Sequence, residues 1–232
     1  MASCLLANLS LCAQNDSTLV REANTPIERR KDGTRIYNDT AIYQGMSLKF
    51  DLGSTILGLA ISKARIQNYE ISMNWRLKQR FYPAFELGYA QASRALENSQ
   101  YSGMGGFARV GLDINGLKKH PERLNALLVG VRIGTALQQY DLMNIPIAPT
   151  YWDQASYTQD FLKQFRCDAW GEVVIGCQVQ VWEGFQMGWY ARLKILMTRT
   201  TKDGTVMPYY IPGFGYRDDI NWGLSYYIGW MF

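Results

Sequence analysis

Histidine is almost missing from this sequence: the 232 residues contain one, His120. That scarcity removes imidazole pairs and multi-histidine metal centres before any motif is sought. Cysteine is scarce too, with four residues and no Cys-x-x-Cys spacing, so a zinc site has no support. Cys4 and Cys12 fall in the first segment, and Cys167 and Cys177 lie on one extended stretch. At ~3.3 Å per residue the latter two stand about 33 Å apart, beyond disulfide reach. No Walker or GxGxxG loop opens a helix, so nucleotide binding is unsupported and no cofactor is expected. Charged residues make up only 19%, with 24 Lys+Arg against 20 Asp+Glu. A nucleic-acid partner needs a concentrated basic face, which this balance does not supply. The chain also lacks an apolar run long enough for a transmembrane helix.

What the chain has is 13% aromatic residues, 21 glycines and only 7 prolines. That mixture suits β-structure with tight turns. The opening MASCLLANLSLCAQND reads as the apolar core and cleavage site of a signal peptide over residues 1–13, with cleavage after Ala13 leaving Gln14. Residues 14–44 form a polar arm. In it, the charged run Glu28-Arg29-Arg30-Lys31-Asp32-Gly33 separates the extended runs Thr25-Pro26-Ile27 and Thr34-Arg35-Ile36-Tyr37. Such an arm is either loosely docked or adds to a partner by strand pairing.

Residues 45–232 carry the dominant signal, alternation with a period of two. At the end of the chain Trp222, Leu224, Tyr226, Ile228, Trp230 and Phe232 share one face, opposite Gly223, Ser225, Tyr227 and Gly229. Seven segments upstream repeat the pattern: 46–53, 69–78, 83–90, 107–114, 127–134, 172–179 and 186–195. Eight strands of this length predict an all-β, eight-stranded antiparallel up-and-down transmembrane barrel. One face of each strand is large and apolar. The other is small or charged, and carries Lys49, Asp51, Glu70, Arg76, Glu86, Arg109, Asp113, Arg132, Glu172, Arg192 and Lys194. These eleven are expected to pair inside a narrow lumen, with Tyr190 and Tyr227 helping to fill it against an open pore. A soluble ligand-binding barrel would put the same faces the other way round.

The connections are expected to alternate in length, as outer-membrane barrels require. Residues 78–81, 115–125 and 182–185 are the short, periplasmic turns, and 57–68, 93–103, 138–168 and 198–221 are the long, outer ones. Gly103-Met104-Gly105-Gly106 reads as the flexible start of a strand. Two outer loops are aromatic: Tyr140, Tyr151, Trp152, Tyr157, Phe161 and Phe165 in one, Tyr209, Tyr210, Phe214 and Tyr216 in the other. They either cap the barrel by folding on each other or form a partner surface. Tyr151, Trp152, Tyr157, Phe161, Tyr209, Tyr210, Phe214 and Tyr216 are the partner-loop candidates. The cations Lys163, Arg166, Arg199, Lys202 and Arg217 beside them suit lipid A phosphates.

The glycine-spaced runs Pro83-Ala84-Phe85-Glu86-Leu87-Gly88-Tyr89 and Phe107-Ala108-Arg109-Val110-Gly111-Leu112, with the Trp-Met-Phe terminus, resemble uncharacterised Bacteroidota outer-membrane barrel proteins of the domain-of-unknown-function type. In architecture the chain is similar to the small OmpA and OmpX barrels. The terminal strand resembles the signal by which assembly machinery recognises outer-membrane barrels. The resemblance implies a fold and an outer-membrane location, with lipid and lipopolysaccharide as surroundings, and no reaction. A lipid-modifying hydrolase would need a base near neutrality at the outer leaflet. His120 instead falls in a basic periplasmic turn with Lys118, Lys119 and Arg123. The expectation is therefore a non-enzymatic accessory or structural subunit of an envelope complex, with a protein partner at the outer loops or the arm. The alternative is a stand-alone surface protein that binds lipopolysaccharide, glycan or protein.

Overall fold

The computed structural model describes residues 27–29, 35–37, 42–60, 65–78, 80–95, 99–117, 125–147, 157–198 and 206–232. The proposed signal peptide, most of the arm, His120 and its basic neighbours, Tyr151, Trp152, Arg199 and Lys202 lie outside them. Two short strands, β1 (Ile27–Arg29) and β2 (Arg35–Tyr37), pair antiparallel as a hairpin of their own. The barrel is built from β3 (Tyr43–Asp51), β4 (Arg65–Leu77), β5 (Phe81–Ala95), β6 (Gln100–Asn115), β7 (Ala126–Ile147), β8 (Tyr157–Gln180), β9 (Phe185–Leu196) and β12 (Ile220–Met231). Each pairs antiparallel with the next in sequence, and β12 closes the sheet on β3. Closure runs to the last residue: the Phe232 amide donates to the Met46 carbonyl at 2.8 Å, and the Met46 amide donates back at 3.2 Å.

Side-chain alternation sets which face turns inward. Ile71, Leu87, Val110, Val131, Ile133, Ile175, Trp222 and Leu224 stand exposed on the outer wall. All eleven alternating charged residues are buried. The large apolar face of each strand therefore looks outward and the charged face inward.

Four connections differ from the expectation. The strand 46–53 stops at Asp51, and Leu52–Ala60 forms helix α1. Asp51 caps it, its Oδ1 accepting from the Gly53 and Ser54 amides at 2.9 and 3.2 Å. A carboxylate at this position satisfies first-turn amides that have no partner within the helix. The expected loops 93–103 and 138–168 are largely strand: β5 pairs with β6 as far as Ala95↔Gln100, and β7 with β8 as far as Ile147↔Tyr157. Gly103–Gly106 thus lies within β6 rather than at its start. Between β9 and β12 the chain forms a second small hairpin, β10 (Tyr210–Ile211) with β11 (Gly215–Tyr216).

Glycines on the inner face make room for large neighbours. A Cβ on Gly134 would sit 2.4 Å from the Trp170 ring, and one on Gly176 2.2 Å from Tyr190. Gly134→Ala is expected to destabilise the barrel by about 1–3 kcal/mol. Gly106→Ala, whose Cβ meets nothing closer than 3.8 Å, should leave the denaturant midpoint nearly unchanged. Unfolding titrations in detergent read both.

Candidate functional site

The interior is filled in layers. Toward the end of the barrel where β4 turns into β5, Tyr82, Ala126, Leu128, Val174, Tyr190 and Tyr227 pack together. Above them lies a charged layer, and above that Phe107, Ala136, Trp170, Leu196, Ile211 and Phe214 form a second apolar layer. The charges are thus enclosed by apolar packing on both sides.

Glu86 is the hub of the charged layer. It accepts from Arg109 Nη1 at 2.8 Å, from Arg192 Nη1 at 2.7 Å and from Arg132 Nη1. Arg109 also reaches Glu70 and Glu172, each at 2.9 Å. Arg192 reaches the same two glutamates at 3.1 and 3.3 Å, and Arg132 reaches Asp113 at 2.8 Å. Three guanidinium groups are therefore shared among four carboxylates. These seven residues come from β4, β5, β6, β7, β8 and β9. The planar fork of arginine lets one side chain hold two or three carboxylates at once.

The other alternating charges have different partners. Lys49 donates to the Tyr190 hydroxyl at 3.1 Å and lies 4.5 Å from the Tyr227 ring centre, while Tyr190 and Tyr227 stack at 5.0 Å. Lys49 and Tyr227 bring β3 and β12 into the same interior. Lys194 donates to two backbone carbonyls, Gly213 at 2.7 Å and Phe214 at 3.1 Å. Asp51 serves α1, so its carboxylate belongs to the helix cap rather than to the charge layer. Arg76 is buried lower on β4.

The backbone groups held by Lys194 belong to a loop that enters the barrel. Arg109 Nη2 also donates to the Gly213 carbonyl at 2.7 Å. Phe214 meets Trp170 edge to face, with ring centres 5.8 Å apart. Phe107 sits so close that a Cβ on Gly213 would lie 2.6 Å from its ring, and Gly213 has a φ of +75°. Only glycine makes this turn in this space. Higher up, Tyr101 donates to the Tyr210 carbonyl at 3.0 Å and Tyr140 to the Val206 carbonyl at 2.6 Å. Burial pushes the Tyr210 hydroxyl up to about 12.

Among the partner-loop candidates, Tyr210 and Phe214 must be withdrawn. Both are buried, because their loop inserts into the mouth instead of facing solvent. Tyr209 and Phe161 are half-buried against the cluster of Tyr101, Tyr140 and Tyr210. Tyr157 and Tyr216 remain exposed. The two loops pack on each other at the mouth, through Tyr140, Leu142 and Phe161 of one and Val206, Tyr209 and Tyr210 of the other, and the second also plugs the lumen.

Asp168 was not singled out by the alternation, yet it is buried and central near the mouth. It accepts from Arg166 at 2.9 Å, Arg217 at 3.2 Å and Gln138 at 3.1 Å. Carrying the inward register of β8 from Glu172 through Trp170 would have reached it. Among the described residues no group of acidic, histidine or cysteine side chains is placed to hold a metal ion. Cys167 and Cys177 are both free.

The chain matches the model of the domain of unknown function DUF6048 over residues 1–231, and it belongs to that family. No curated protein is similar to it at a significant level.

Two variants probe this interior. Glu86→Gln removes the shared anion among three buried guanidinium groups and is expected to cost about 3–5 kcal/mol, read from the unfolding midpoint in detergent. Gly213→Val should expel the turn, so that protease cuts between residues 206 and 219 while the rest of the barrel stays resistant.

Proposed function

We propose that the protein is an integral β-barrel of the bacterial outer membrane that works without catalysing a reaction, as an accessory or structural subunit of an envelope complex. The observation that carries this reading is the inversion of faces. Val131, Ile133, Ile175 and Leu224 are among many large apolar side chains exposed on the wall, while the charges are enclosed. In water such a wall is a large apolar patch on every side; in a bilayer it is matched to its surroundings. The likeness to Bacteroidota outer-membrane proteins and to the small OmpA and OmpX barrels belongs to the same reading, as does assembly by the machinery that reads a terminal aromatic strand. Trp222, Leu224, Tyr226, Ile228, Trp230 and Phe232 would present that signal.

The layered interior supports a role other than that of a diffusion pore. The inserted turn and the guanidinium–carboxylate layer occupy the space that an ion path would need. For the interaction itself, the β7–β8 hairpin is the feature to consider. Its strands of 22 and 24 residues are the longest in the barrel. Leu162 and Phe165 near its end are exposed. A subunit that meets a protein partner above the membrane would use this hairpin. A stand-alone surface protein that binds lipopolysaccharide, glycan or protein is the second reading, favoured by the same exposed side chains.

Fractionation of cells that produce the full chain is the first test. The protein is expected with the outer membrane, with a mobility on gels that changes on boiling, and with no steady conductance in planar bilayers. Recovery in the soluble fraction would overturn the membrane reading, and a stable conductance would overturn the closed lumen. In the double variant Leu162→Asp/Phe165→Asp the boiling shift should persist. A protein that co-purifies in stoichiometric amount with the unaltered chain should be lost.

A further inference from the structure

Strand β3 stops short of its two neighbours, and the wall of the barrel has a gap above its end. β12 pairs with β9 from Ile220↔Ile195 to Trp230↔Phe185, but with β3 only from Tyr227↔Asp51 to Met231↔Ser47. β4 pairs with β5 as far as Arg65↔Ser93, but with β3 only as far as Ile71↔Phe50. Among the described residues, 220–226 of β12 and 65–70 of β4 are therefore paired in a ladder on one side only. The Phe232 amide donates to Met46 of β3. Alternation along an antiparallel strand turns the backbone groups of Trp222, Leu224 and Tyr226 the same way, into the gap. From the opposite side the Asn68 carbonyl faces the gap, where it accepts from Thr55.

Helix α1 fills the place of the missing strand. Two strands that lack the one between them stand twice ~4.8 Å apart, which is about the 10 Å diameter of a helix. The start of α1 lies against β12, since a Cβ on Gly53 would sit 2.7 Å from the Tyr226 amide nitrogen. On the β4 side the Thr55 hydroxyl donates to the Asn68 carbonyl at 2.9 Å and lies 3.0 Å from the Asp51 carbonyl. Among the described residues this is the one hydrogen bond between α1 and β4, where every other boundary of the wall has a strand ladder. The cap is separate from the wall: Asp51 holds the first turn through the Gly53 and Ser54 amides and the Ser54 hydroxyl. Outside, Ile56 of α1 and the flanking Trp222 and Leu224 are exposed. Behind the helix Ser225 is buried, and the Asn68 side-chain oxygen is buried without a hydrogen-bond partner.

We infer that α1 is a lateral gate. It swings about its junction with β3 and opens the wall between β4 and β12 while every ladder of the barrel stays intact. The cap keeps the helix wound as it moves, and the Thr55 hydroxyl is the latch. The opening leads sideways into the lumen, past the inserted turn that blocks the mouth. The gate follows from the strand register and holds whatever surrounds the barrel.

The test follows the labelling of single cysteines by a small maleimide, on the full chain folded in detergent and with its native cysteines replaced by serine. Ser225→Cys lies behind the gate. Ala136→Cys is buried on β7, with ladders on both sides. Ser225→Cys should be labelled measurably but more slowly than in the unfolded chain. Adding Thr55→Val should speed this roughly fivefold, the factor that corresponds to one hydrogen bond of typical net strength. Ala136→Cys should stay unlabelled over the same time, with or without Thr55→Val. The boiling shift, measured on every sample, shows that each variant is folded. Hydrogen exchange reads the same motion without a change in the lumen: Thr55→Val alone should speed exchange in residues 52–60 and leave β6 unaffected. Absence of labelling at Ser225→Cys, or a rate and an exchange pattern that Thr55→Val leaves unchanged, would overturn the gate. Equal labelling at Ala136→Cys would mean entry through the mouth or a general loosening, and would overturn it too.

Discussion

An eight-stranded closed sheet has an interior only wide enough for side chains, so everything inside must satisfy everything else. In this chain the centre of that interior is Glu86 with three guanidinium groups around it. Moving such charges out of water costs several kcal/mol per ion, and only close pairing with good geometry offsets it. The shared arrangement achieves this with side chains from six strands, and the Lys49, Tyr190 and Tyr227 contacts add the remaining two. The layer therefore favours one register of the sheet. A strand slipped by a single residue would turn its charge outward and leave its partners buried and unpaired.

The same constraint explains how far the sequence alone could be read. Wherever a strand has a large apolar outer face and a packed, charged inner face, the two differ sharply and the period of two is plain. All eight barrel strands were located this way, and the eleven alternating charges are buried. The contrast disappears in Met143–Ile147 and Tyr157–Cys167, where the side chains on both faces of the hairpin are exposed or half-exposed. A strand of that kind reads as a loop. Asp51 was misread for the opposite reason. The alternation of Met46, Leu48 and Phe50 carries smoothly past it, while the signal of a helix start, Asp51 with Ser54 three residues on, is local and easily overruled.

The inserted turn was legible only in composition. An aromatic stretch with glycines at 213 and 215 must bury its rings somewhere, but the destination depends on a three-dimensional fit. Gly213 passes against Phe107, and its carbonyl falls between Arg109 and Lys194. No spacing in the sequence encodes that meeting. The turn satisfies charges that the carboxylates do not reach, so Lys194 has acceptors without a carboxylate of its own within ion-pair distance among the described residues.

These parts form one mechanical unit. A two-stranded ribbon projecting alone is marginal in stability, yet β7 and β8 continue their pairing beyond the end of β9. β6 supports β7 as far as Met143. Phe161 and Tyr140 pack with Tyr101 and Tyr210, which belongs to the inserted loop. Asp168, at the base of the hairpin, is bound to Arg217, which follows the inserted turn. The register shifts around Leu142, with left-handed backbone at Asn144 and Lys163, add twist where the hairpin leaves these supports. Tyr140, Val206 and Arg217 thus connect the hairpin to the loop that carries the inserted turn. The hairpin, the inserted turn and the charged centre are thus joined by one continuous set of packing and hydrogen-bond contacts.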